Sequence, residues 1–132
     1  MSTHCYVAKE NNDGTCKSIY VHFDGYPEEV GEKLLNYYNT PEAVEALLEI
    51  GDINSLKNTI EETAKEKMVG HFPAQTCPAE RQLLCRAMGD SCTYVYIFRR
   101  DCYGYYWDCV KVREHRPLNA IMAELQDKKF AE

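Results

Sequence analysis

The stretch "IYVHFDGYP", Ile19 to Pro27, places Tyr20, His22 and Asp24 at alternate positions just ahead of a turn. A histidine beside a carboxylate is the raw material of general acid–base catalysis, provided the two groups come within hydrogen-bond reach. On a regular strand His22 and Asp24 share a face but stand about 6.5–7 Å apart along it, too far for direct contact unless the strand bends. The spacing therefore predicts a polar outward face ending in a turn, with Asp24 capping the backbone before Pro27. If a pocket for a small molecule or nucleotide opens here, Tyr20, His22, Asp24 and Tyr26 line its mouth.

The cysteines and histidines offer a second chemistry. Seven cysteines, Cys5, Cys16, Cys77, Cys85, Cys92, Cys102 and Cys109, stand in a chain of 132 residues with no basic-then-apolar leader at its start. An odd number in that setting points to reduced thiols rather than a disulfide framework. No two form a Cys-x-x-Cys pair, and none is followed by histidines at zinc-finger spacing. Two hairpins would set Cys5 against Cys16 and Cys102 against Cys109, pairs able to oxidise or hold a metal. Small residues on half-buried strands are the simpler reading. His4, His22, His71 and His115 could each serve a cysteine nucleophile, but no cysteine opens a helix after a glycine-rich turn. A glycine-rich phosphate loop, His-Glu-x-x-His and Gly-x-Ser-x-Gly are all missing. The sequence assigns no catalytic residue, no cofactor and no metal.

Charge gives the third candidate. The formal net charge is −6, and it is unevenly spread. Ten acidic residues and four lysines lie between Pro27 and Met68, against seven basic and four acidic residues between Arg81 and Arg116. Overall acidity argues against general binding to phosphate backbones. The aromatic run "TYVYIFRRDCYGYYWDC" could stack on bases, but it lacks the glycines of sheet-surface RNA binders and must spend many rings on packing. Tyr, Trp and Arg also suit protein interfaces. Glu42, Glu45 and Glu49 form an acidic stripe on one predicted helix, and Glu28 and Glu32 extend it on the helix before. Such a stripe suits a basic protein partner.

Hydrophobic patterning supplies the elements that must hold these groups. "HCYVAKE" and "TCKSIYVHF" flank "NNDG", a hairpin over residues 4–23 with Ile19, Val21 and Phe23 inward. Helices follow over about 27–68. The first starts at Pro27 with Glu28 and Glu29 in its first turn. The second is capped by Thr40 and closed by Gly51, and the third runs from about Asn54 to Met68 with Leu56, Ile60, Ala64 and Met68 in step. Pro73 and Pro78 make 69–80 irregular, and "ERQLLCRAMGD" reads as one short helix. A second hairpin spans 93–112, and Leu118, Ile121, Met122 and Leu125 mark a C-terminal helix over 117–128. The expected fold is a single α+β domain, an antiparallel sheet of about four strands with helices packed on one face. With no apolar run near the roughly 20 residues of a membrane span, the chain is expected to be soluble and cytoplasmic. Self-association stays open.

The segment "SIYVHFDGYPEEVGEKLLNYYNTPEAVEALLEIGDINSL", Ser18 to Leu56, resembles a family of small proteins encoded by bacteriophages and prophages. The shared positions are Tyr20, His22, Asp24 to Pro27, Gly31, Leu34, Leu35, Tyr37, Tyr38, Gly51 to Ile53 and Leu56. "YVYIF…YGYYWDCV" is similar, more loosely, to that family's second hairpin. Where members carry a charged Tyr-His-Arg-Asp-Arg-like stretch, this chain has "ETAKEKMVGHFPAQTC". The resemblance implies a setting inside an infected bacterium rather than a reaction. Together with the acidic stripe and the lack of catalytic constellations, it leads to the expectation of a non-enzymatic protein that binds a host protein, such as a component of an antiviral defence like CRISPR.

Overall fold

The computed structural model describes residues 3–70 and 72–112. The helix expected over 117–128 lies outside the described residues, as do His71 and His115. Strands β1 (His4–Glu10) and β2 (Cys16–Val21) form the first hairpin. Its turn is held by Asp13, whose carboxylate accepts from the Thr15 backbone and hydroxyl at 3.0 and 2.7 Å. A π-helical turn (Pro27–Gly31) leads into α1 (Glu32–Tyr37), followed by α2 (Pro41–Ile50) and α3 (Ile60–Ala64). After these come β3 (Gln75–Cys77), α4 (Glu80–Gly89), β4 (Cys92–Asp101) and β5 (Gly104–Lys111).

The sheet has five strands in the order β3-β2-β1-β4-β5 and is mixed. Both hairpins are antiparallel, but they meet through a parallel β1–β4 pair with Val7 opposite Tyr96. The fifth strand, β3, falls inside the stretch expected to be irregular and pairs with β2, Cys77 opposite Cys16. Two prolines leave room for three paired residues between them.

Helices cover both faces, which corrects the expectation of one covered face. On one side Cys5, Val7, Ile19, Val21, Tyr96 and Phe98 pack against Val30, Leu34, Val44, Leu47 and Leu48. On the other, Tyr6, Ala8, Val95 and Ile97 pack against Leu83 and Ala87 of α4. The central strands therefore carry unbroken buried runs, Cys5 to Ala8 and Val95 to Phe98. Such runs mark a strand buried on both sides, where an edge strand would alternate.

The third helix is shorter than its periodicity suggests. Thr59 caps it, accepting from the Glu62 amide at 3.1 Å, and it ends at Ala64. Upstream, the backbone is claimed by the sheet: Ile53 donates to Tyr20 O at 2.9 Å, and His22 donates back to Ile53 O at 3.1 Å. Leu56 enters the core from this extended segment rather than from a helix.

Candidate functional site

The corner at Tyr20 to Tyr26 does not assemble the acid–base pair. Strand β2 stops at Val21, so His22 and Asp24 leave the pleat before they could share a face. Asp24 turns the chain at φ 59° and is exposed, and no side chain caps the helical turn that follows. The expected Asp24 cap is therefore absent. His22 finds other company. Its ring stacks on His4 at 4.6 Å, and its Nδ1 lies 2.9 Å from the Tyr20 hydroxyl. His4 Nδ1–H donates to the His22 carbonyl at 2.6 Å.

Gly25 is needed for closeness. A Cβ there would lie 2.8 Å from Thr3 O, the same atom to which the Gly25 amide donates. The buried Tyr96 hydroxyl donates to Gly25 O at 2.7 Å. Asp52, from the Gly-Asp-Ile motif, accepts the Tyr20 amide at 2.9 Å. The Tyr20–Gly25 segment and the Gly51–Ile53 segment thus hold each other through the Asp52 carboxylate and backbone hydrogen bonds. Tyr26 is exposed.

A cleft of about 290 Å³ does open beside Tyr20, on the sheet face covered by α4. Its polar wall is Tyr6, Tyr20, Asp52, Arg86 and Asp90, and Met68 and Phe72 form an apolar rim. His22, Asp24 and Tyr26 are not among its lining residues. Tyr6 and Tyr20 meet edge to face at 6.1 Å, and Tyr6 donates its hydroxyl to Asp90. Burial pushes the Tyr20 phenol up to about 12 and raises Tyr6 further still, with the Asp90 hydrogen bond adding to it. Burial also raises the Asp52 carboxyl, against the pull of the Tyr20 amide.

Arg86 lies over the Tyr6 ring at 5.6 Å and donates only to the Cys77 sulfur, at 3.5 Å. It makes no ion pair with any carboxylate among the described residues. Sequence reasoning missed Tyr6, Arg86 and Asp90. They stand up to 84 residues apart, and nothing local marks them as partners.

The acidic stripe divides when folded. Glu45 is engaged by Lys9 at 2.8 Å and Lys17 at 3.9 Å, and the Lys9 hydrogen bond holds its carboxyl below the ordinary range. Glu42 and Glu49 are exposed and form no ion pair among the described residues. Glu28, Glu29 and Glu32 gather with Asn36 and Tyr37 around a shallow polar groove of about 330 Å³. Lys33 also lines it, donating to the Leu56 carbonyl at 3.2 Å and lying 3.9 Å from Glu29. Tyr37 in its lining is 51% exposed, and Leu35 of the same helix is 59% exposed.

The cysteines are all free thiols. Cys5 pairs in register with Val21 and Cys16 with Glu10, so these two do not face each other; Cys109 sits opposite Tyr96, and Cys102 is in the turn. The pair that does come into register, Cys16 and Cys77, is buried. Burial raises the Cys5, Cys16, Cys92 and Cys109 thiols, which is the opposite of nucleophile activation. No cluster of three or more His, Cys, Asp or Glu placed to hold a metal occurs among the described residues. No described helix is long and apolar enough to cross a membrane. No protein-family model, curated protein or solved structure matches the chain.

Proposed function

We propose that this chain is a small, non-enzymatic interaction protein of phage or prophage type that docks on a basic surface of a bacterial host protein. A component of antiviral defence, such as a CRISPR complex, is the target class to test first. The observation that carries this reading is the α1 groove. Three carboxylates, Glu28, Glu29 and Glu32, outnumber the one lysine, Lys33, in its lining; the exposed Tyr37 belongs to that lining, and the exposed Leu35 lies on the same helix. A net negative charge beside an apolar anchor steers a basic partner electrostatically and then gives it something to bury. Glu42 and Glu49 widen the acidic field, while Glu45 is spent on Lys9 and Lys17.

The test is capture of host proteins by the wild-type chain and by Glu28→Lys/Glu32→Lys, at low and moderate salt. A stoichiometric partner retained by wild type and lost by the variant, at an unchanged melting temperature, supports the reading. Equal capture by both proteins, or no stoichiometric partner at either salt, sinks it. A second reading, a small-ligand binder, is favoured by the cleft at Tyr20, where a half-buried carboxylate and a guanidinium with no ion pair among the described residues face one concavity.

A further inference from the structure

The cleft and the α1 groove are separate surfaces, so occupancy of the cleft deepens the small-ligand reading and can fail while the protein-binding reading stands. Three side-chain charges face the space: Asp52 and Asp90 are negative and Arg86 is positive. They come from three places in the chain, the segment after α2, the C-cap of α4 and its last turn. No ion pair joins any two of them. Among the described residues the Asp52 carboxylate accepts only the Tyr20 amide, Asp90 only the Tyr6 hydroxyl, and Arg86 donates only to a thiol sulfur.

An arginine carries five N–H donors, and a sulfur is a weak acceptor, so most of its capacity is unmet among the described residues. A half-buried carboxylate with one amide partner is likewise under-used. The complementary ligand has one anionic group and two cationic ones. Its size is limited too: about 290 Å³ lies at the bottom of the range of roughly 300–1,000 Å³ typical of ligand sites. Between the charges, the Tyr6 and Tyr20 rings and the Met68 and Phe72 rim offer apolar wall to an aliphatic stem.

We propose that the cleft binds a free basic α-amino acid, its carboxylate on Arg86 and its two cationic groups on Asp52 and Asp90. A nucleotide, by contrast, would bring several negative charges to a wall that is already net negative. A dicarboxylic amino acid would leave one aspartate facing another carboxylate.

Calorimetric titration and thermal shift of the full chain with L-lysine, L-arginine, L-norleucine, L-glutamate and AMP, each to millimolar concentration, decide the matter. Saturable binding of lysine or arginine is expected, about tenfold or more weakened in norleucine, which lacks the distal charge. Arg86→Gln and Asp52→Asn should each weaken lysine or arginine by a similar factor. Asparagine at 52 keeps an acceptor for the Tyr20 amide, so this variant decides the question if Arg86→Gln does not fold. No saturable response to either basic amino acid overturns the assignment, as does undiminished binding by the folded variants. A response to AMP or glutamate alone also overturns it and leaves the small-ligand reading intact.

Discussion

Gly51 closes a helix and Gly31 falls where a helix is under way, and the fold asks different things of them. Gly51 stands at φ 88° and ψ −161°, and a Cβ there would lie 2.4 Å from Phe72 O. Gly31 has ordinary helical dihedrals, and its Cβ would meet Tyr96 at 3.4 Å, near normal contact. Gly51→Ala should therefore cost about 2 kcal/mol or more, while Gly31→Ala should be near neutral because the added helix propensity offsets the tight fit. Urea unfolding of both variants checks the contrast. Glu45 gives a pH signature. Its carboxyl is held low by Lys9, so its contribution is present above the ordinary carboxylate value of about 4.3 and is lost as pH falls through the lowered folded value. Because the pair is partly exposed, Glu45→Gln should lower stability by less than about 1 kcal/mol at pH 7, and the difference should vanish in acid melts. At this scale the caps were legible: Thr40 accepts from the Ala43 amide as its position before Pro41 implied. Asp24 was not, because its turn is set by Gly25 pressing on Thr3, a contact between residues 22 apart in the chain.

Among the elements, the joint that matters most is built on Arg99. Its guanidinium contacts Glu10 of β1 at 2.8 Å, Asp108 of β5 at 3.0 Å and Glu80 at the start of α4. One largely buried cation thus ties together two strands on either side of β4 and the helix above them. Arg99→Met keeps the stem but strands three carboxylates, and should cost about 1–3 kcal/mol, between the values for exposed and buried pairs. Adding Glu80→Gln should recover part of that loss, which a double-mutant cycle by thermal melts measures. Equal losses in the single and double variants would deny the joint its electrostatic role. Both hairpins and α4 could be read from pattern and turn residues. The length of α3 could not, because Leu56, Ile60, Ala64 and Met68 keep helical step while the backbone around Ile53 bonds to β2. Local periodicity carries no record of that competing partner.

For the molecule as a whole, the α+β class was legible and the arrangement was not. The runs "CYVA" and "VYIF" looked like strands with one wet side, and only the packing of Leu83 and Ala87 shows that both sides are dry. The same is true of the candidate sites. The acidic field was visible as composition, but folding decides which acids stay free and which are held by Lys9 and Lys17. The cleft was invisible, since its walls come from Tyr6 to Asp90 and acquire meaning only when α4 lies across the sheet. The parallel pairing of β1 with β4 also sets an order of events during synthesis. Strand β1 must wait for more than eighty further residues to leave the ribosome before its central neighbour exists. Until then one long edge of the nascent hairpin is bare, and a chaperone is its natural temporary cover.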